Sequence, residues 1–161
     1  MSRDFEAKAV FDTLCQTLDN MKWRYEKDME NGKYRVTTTA VGDDLTMKFI
    51  IRIDIERQVM YLKSPMPFPI SENKRAEVGM ATLIANYAML NGCFEYVLVT
   101  GYLGFKLIIP FMDSIISEAA CDYMIKLSCS MVDKFNDKLL AVSKSDMTLD
   151  EFQKYTEKAF Q

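Results

Sequence analysis

The side chains that most often carry catalysis or bind metals are sparse in this chain. It contains no histidine, which removes the Ser-His and Cys-His nucleophile systems and the commonest transition-metal ligand. Its four cysteines, Cys15, Cys93, Cys121 and Cys129, include no Cys-x-x-Cys pair. Cys121 and Cys129 are predicted to share a helix and to lie about 12 Å apart, which is too far for a disulfide. We therefore expect reduced thiols, no metal site, no cofactor and no catalytic residues.

Three weaker motifs also fail to predict chemistry. Asp43 and Asp44 form an acidic pair, but two carboxylates in a hairpin turn are usually turn residues. Lys27 stands where an EF-hand loop needs its first aspartate, so the spacing excludes calcium. The Gly-x-x-Gly sequence from Gly101 to Gly104 is predicted to join strands, whereas in nucleic-acid-binding KH domains it joins helices.

Length and composition predict one globular domain. The 161 residues are 49% hydrophobic and 27% charged, a balance typical of a folded chain with a core of its own. A net charge of −3 and a pI near 5.1 give the chain no electrostatic attraction to nucleic acid. The first eight residues carry charges where a signal peptide needs an apolar segment, so we expect a cytoplasmic protein.

The elements are organised around a predicted helix from Ser71 to Gly92, with Ser71 as its N-cap and Gly92 as its stop. One side, the expected core face, carries Ala76, Met80, Leu83, Ile84, Tyr87 and Leu90. The opposite side is also apolar and carries Val78, Ala81, Ala85, Ala88 and Met89. A helix that is apolar all round should be buried all round. A membrane span is rejected because the run is diluted by polar residues and barely long enough to cross.

Around this helix the pattern predicts an α+β domain with a five-stranded antiparallel sheet. The order is helix, three strands, helix, two strands, helix, followed by a short C-terminal helix. The predicted elements are a helix at Arg3–Met21, strands at Lys33–Val41, Leu45–Glu56 and Gln58–Lys63, a hairpin at Phe94–Thr100 and Phe105–Ile109, a helix from Ser117, and a last helix opened by a capping box at Thr148 and Glu151. Residues 23–26 are expected to be a short extended lead-in, and Asn31-Gly32 a turn. Pro65, Pro67 and Pro69 are expected to form a rigid crossover.

This order, together with a few residues, resembles the YbjN-type domain. The residues are Pro69, then Lys74-Arg75-Ala76-Glu77-Val78, then Asn86, Gly92 and Phe94. The resemblance extends from about Phe5 to Leu140, so the chain divides into a domain at 1–143 and a helical extension at 144–161. The resemblance implies a fold that is shared with type III secretion chaperones. It also implies a bacterial protein that regulates sensory transduction and has no assigned enzymatic activity. The related chaperones are homodimers that hold extended segments of client proteins.

We therefore expect a non-enzymatic cytoplasmic interaction module, regulatory or chaperone-like, that acts as a homodimer and binds a protein or peptide but no membrane. The alternative is a binder of small ligands, or an enzyme that uses only Asp, Glu, Lys, Tyr or Cys.

Two features of the central helix give this expectation residues that can be tested. Val78, Ala81, Ala85, Ala88 and Met89 need a cover, for which we favour a second copy over the final helix with Phe152 and Tyr155. Asn86 either ties the helix to a neighbouring backbone segment or is a partly exposed polar residue.

Overall fold

The computed structural model describes residues 2–161 as an α+β domain of four α-helices and one six-stranded sheet. The elements in chain order are α1 (Arg3–Asn20), β1 (Tyr25–Glu30), β2 (Lys33–Val41), β3 (Thr46–Asp54), β4 (Val59–Pro65), a 3₁₀ turn (Glu72–Lys74), α2 (Arg75–Ala88), β5 (Cys93–Val97), β6 (Tyr102–Pro110), α3 (Glu118–Lys144) and α4 (Leu149–Ala159). Every neighbouring pair of strands is antiparallel, and the spatial order is β1-β2-β3-β4-β6-β5.

The prediction of five strands is wrong, because the expected lead-in continues into a sixth strand, β1. Four of its six residues are charged, so its sequence lacks the apolar alternation that marks a half-buried strand. Its pairing with β2 is set by the predicted turn, in which Asn31 and Gly32 both adopt positive φ, of 52° and 72°. Positive φ at both central residues is the requirement of the tight type I′ hairpin turn.

One face of the sheet is the core face, and α1 and α3 pack on it. The alternating residues Met47, Phe49, Ile51 and Ile53 of β3, which were predicted to form its apolar face, are buried. Phe135 of α3 lies in the core and contacts aromatic rings of β5 and α4, with its centroid 5.8 Å from Phe94 and 5.9 Å from Phe152. The other face of the sheet carries ion pairs such as Lys63–Glu95, with Nζ and Oε1 2.7 Å apart.

The ends of several elements also differ from prediction. The central helix is shorter than expected, because Glu72–Lys74 form a 3₁₀ turn and α2 ends at Ala88. Pro65 is the last residue of β4 and pairs with Gly104, so the rigid crossover begins after it. The predicted capping box is confirmed: the Glu151 backbone N–H donates to Thr148 Oγ1 over 3.2 Å, and the Thr148 N–H donates to Glu151 Oε2 over 2.8 Å.

None of the helices formed by residues 2–161 combines the length and the apolar content that a membrane crossing needs.

Candidate interaction surface

The structure places the two apolar faces of α2 opposite to the prediction. Val78, Ala81 and Ala85, which were expected to point outward, have no exposed surface and belong to the chain's own core. Ala88 and Met89 are partly buried. These side chains face α3 and α4, and small residues allow the helix backbones to approach closely. Val78, Ala81 and Ala85 therefore cannot form a dimer or partner surface, and the prediction is wrong for these three residues.

The final helix, α4, covers this small-residue face, whereas a second copy of the chain was the favoured prediction. Phe152 of α4 is fully buried. The Tyr155 hydroxyl donates to the Lys134 carbonyl oxygen over 2.7 Å, and the Lys134 ammonium donates to the Ala159 carbonyl oxygen over 3.1 Å. These bonds and the Phe135 ring contact hold α4 against α2 and α3 from inside the same chain.

The other side of α2, which was expected to be the core face, is mostly exposed, although Ile84 at its edge packs partly against the core. Met80 is 52%, Leu83 62% and Tyr87 95% accessible to solvent, and Leu90, just past the helix end, is fully accessible. We call these four residues the α2 outer surface. No charged residue occurs between Glu77 and Glu95, so this surface is apolar and uncharged. Four large apolar side chains exposed together on one face are typical of an interaction site.

The tip of the β5–β6 hairpin, formed by Val97, Leu98 and Val99, lies beside the N-terminal end of α2. Two hydrogen bonds fix it there: the Tyr96 hydroxyl donates to the Arg75 carbonyl oxygen over 2.9 Å, and the Arg75 guanidinium donates to the Val99 carbonyl oxygen. The three tip side chains are exposed. The exposed tip was not predicted, because the pattern placed Leu98 and Val99 in a strand; the apolar run leading into Gly101 was the available signal.

Asn86 makes the backbone tether expected of its side chain. Its Nδ2 donates to the Phe94 carbonyl oxygen over 2.9 Å, and the Phe94 N–H donates to its Oδ1 over 2.7 Å. Phe94 lies on β5, an edge strand that pairs only with β6. One side-chain amide therefore satisfies both backbone groups of an edge residue and joins α2 to the sheet.

Gly92 lies between this tether and the core. Its φ is +77°, and a Cβ at this position would lie 2.4 Å from the Phe105 ring. Only glycine accepts both the backbone conformation and the contact.

Gly92→Ala should therefore lower the free energy of unfolding by about 1 to 2 kcal/mol more than Gly32→Ala, measured by urea denaturation. Gly32 is the matched control, because its φ is +72° and nothing lies within 4 Å of the added Cβ. If both variants lost the same free energy of unfolding, the contact with Phe105 would contribute nothing to stability.

Among residues 2–161, the four thiols are free, and the acidic turn at Asp43 and Asp44 lines an open concavity together with Asp133, Lys134, Asp137, Lys138 and Tyr155. Burial raises the pKa of the Cys121 and Cys129 thiols to about 11, so both stay protonated at neutral pH. Asp43 is a turn residue whose N–H donates to Asp133 Oδ1 over 2.9 Å. Within residues 2–161, no three Cys, Asp or Glu side chains cluster as metal ligands would. A concavity of about 510 Å³ beside the start of β1 is open to solvent, unlike an enclosed metabolite pocket.

Comparison with known proteins finds similarity to a solved structure. No family model and no curated protein sequence matches the chain. Among solved structures, the chain resembles YbjN from E. coli, described as "a putative transcription regulator", with a TM-score of 0.52 and 10% sequence identity over 84% of this chain and 90% of that one. The chain therefore has a YbjN-type fold, as the resemblance of its motifs indicated.

Proposed function

We propose that this YbjN-type domain is a non-enzymatic, cytoplasmic protein-interaction module, regulatory or chaperone-like, that acts as a homodimer and binds a protein or peptide partner. The observation that carries the proposal is the α2 outer surface, where four large apolar side chains from one helix and its C-terminal end are exposed side by side. The YbjN match supports the non-enzymatic assignment, because that protein is described as a regulator.

A second copy of the chain is the occupant that best fits the α2 outer surface. The surface carries no charge, so it offers an oppositely charged partner nothing to recognise. An identical copy presents the same uncharged apolar face, and a twofold axis would bring the two faces together. The exposed hairpin tip at Leu98 and Val99 widens the apolar area beside the N-terminal end of α2. A stable dimer needs about 800 Å² per partner, more than one helix face supplies, so the tip belongs to the proposed interface.

The proposal predicts that Leu83→Glu converts a dimer to a monomer without unfolding it. Leu83 is mostly exposed in the single chain, so a carboxylate there costs the isolated fold little. In a twofold dimer it would place two carboxylates in one apolar interface, at a cost of several kcal/mol (about 3 to 5). Light scattering after size exclusion measures the mass, and circular dichroism checks the fold.

Val41→Glu is the control, because Val41 is 90% exposed on β2, away from α2. It should leave the dimer intact. A Leu83→Glu variant that keeps the wild-type dimeric mass would show that the α2 outer surface is not the interface.

A further inference from the structure

The two edges of the sheet differ in how their backbone groups are satisfied. On the β5 edge, Asn86 occupies the N–H and the C=O of Phe94. The opposite edge is β1, which pairs with β2 along one side. Among the hydrogen bonds of residues 2–161, none joins a side chain to the backbone of Tyr25–Glu30. The edge of β1 is therefore free to pair with an added strand.

The side chains of β1 give this open edge a definite charge pattern. Glu26, Asp28 and Glu30 alternate along the strand and point to the same face of the sheet. Asp28 forms an ion pair with Arg35, whose Nη2 lies 2.5 Å from Asp28 Oδ2. Glu30 forms an ion pair with Arg52, whose Nη2 lies 3.0 Å from Glu30 Oε2. Glu26 is exposed, and the ion pairs formed within residues 2–161 leave it without a cation.

This pattern opposes pairing between two copies of β1. A twofold axis normal to the sheet would keep the acidic faces of both strands on the same side. Asp28 would then lie opposite Asp28 of the other copy, and Glu26 opposite Glu30. A register shifted by two residues would again place carboxylates opposite carboxylates. Like charges directly opposite one another destabilise a strand pair. A second copy is therefore a poor occupant of this edge.

We infer that the β1 edge binds an extended segment of another protein that carries Lys or Arg at alternating positions. In such a segment one cation pairs with Glu26, and two others extend the rows in which Asp28 and Glu30 already pair with Arg35 and Arg52. The residues between the cations lie beside Tyr25, Lys27 and the exposed Met29. The backbone hydrogen bonds provide affinity, and the alternating charges select the sequence. This inference rests on the proposed role as a protein-interaction module, but not on the dimer, because α2 contacts β5 at the other end of the sheet.

The test is a titration of the ¹⁵N-labelled full chain with three hexapeptides, followed by NMR and amide hydrogen exchange. The first peptide, acetyl-Lys-Val-Lys-Thr-Lys-Val-amide, should shift the amide signals of Tyr25–Glu30 and slow their exchange. The second has the same composition in the order Lys-Lys-Lys-Val-Val-Thr, and the third has Glu in place of Lys. Both should bind at least about threefold more weakly, because the second places its charges at consecutive positions and the third sets carboxylates opposite the acidic face of β1. Equal binding of the first two peptides would show attraction by net charge alone and overturn the inference.

Two variants locate the binding site. Glu26→Lys should weaken the binding of the first peptide by about threefold or more. Glu157→Lys, which makes the same charge change on the exposed side of α4, should leave the binding of that peptide unchanged. Equal weakening by both would contradict binding at β1. The Leu83→Glu chain should bind the first peptide as tightly as the wild type does. A result against the proposed dimer and a result against peptide binding at β1 can therefore be told apart.

Discussion

Ala85→Glu is expected to lower the free energy of unfolding by about 3 to 5 kcal/mol, enough to unfold a marginally stable domain. Ala85 has no exposed surface and lies on the face of α2 that packs against α3 and α4. A glutamate there must either bury an unpaired carboxylate or push α4 away from the core. Urea denaturation followed by circular dichroism measures the change.

The control for this variant is Ala119→Glu, the same substitution at an exposed position in the first turn of α3. A carboxylate near a helix N-terminus is tolerated or slightly stabilising, so the change should stay within about 0.5 kcal/mol. Equal stability of the two variants would place Ala85 at the surface and contradict the packing of this face of α2 against α3 and α4.

Asn86→Ala is expected to lower the free energy of unfolding by roughly 2 to 3 kcal/mol, because both the N–H and the C=O of Phe94 lose their partner. The sign of the effect is decisive. Alanine is a better helix former than asparagine, so an exposed Asn86 without a structural role would become slightly stabilised on substitution.

Asn86→Asp is the graded control, because it keeps the oxygen that accepts from the Phe94 N–H and loses the donor to the Phe94 carbonyl oxygen. Its stability should fall between wild type and Asn86→Ala, and only the alanine variant should accelerate exchange of the Phe94 amide proton. A rise in the denaturation midpoint of Asn86→Ala would contradict the tether.

Much of the fold was predictable because its signals are local. The alternation in β3 sets one face to the core, and capping residues such as Thr148 mark where helices begin. Asn86 was recognisable because an amide inside an apolar helix needs a specific partner. β1 was missed because its four charged residues belong to an edge strand, where charge is favoured and apolar alternation is not needed.

The orientation of α2 could not be predicted, because both of its faces are apolar and hydrophobicity therefore does not distinguish them. The larger side chains were assigned to the core, where they would bury more area. In the structure, the close approach of the helices determines which face of α2 is buried. α3 and α4 pack against Val78, Ala81 and Ala85, and the larger Leu83 and Tyr87 remain exposed. Whether a helix face is covered depends on elements far away in the sequence, here α4.

The two proposed surfaces lie at opposite ends of the sheet, and this arrangement has a consequence for assembly. A twofold dimer through the α2 outer surface would leave a free β1 edge on each copy. Each dimer would then hold two identical sites for extended basic segments, so a partner with two such segments could bind both at once.

Sedimentation velocity of the wild-type chain over a range of micromolar concentrations tests the central proposal, the α2-mediated homodimer, most directly. The proposal predicts a species with twice the 18.6 kDa mass of the chain, which dissociates as the concentration falls. A single species of 18.6 kDa at every concentration would contradict it.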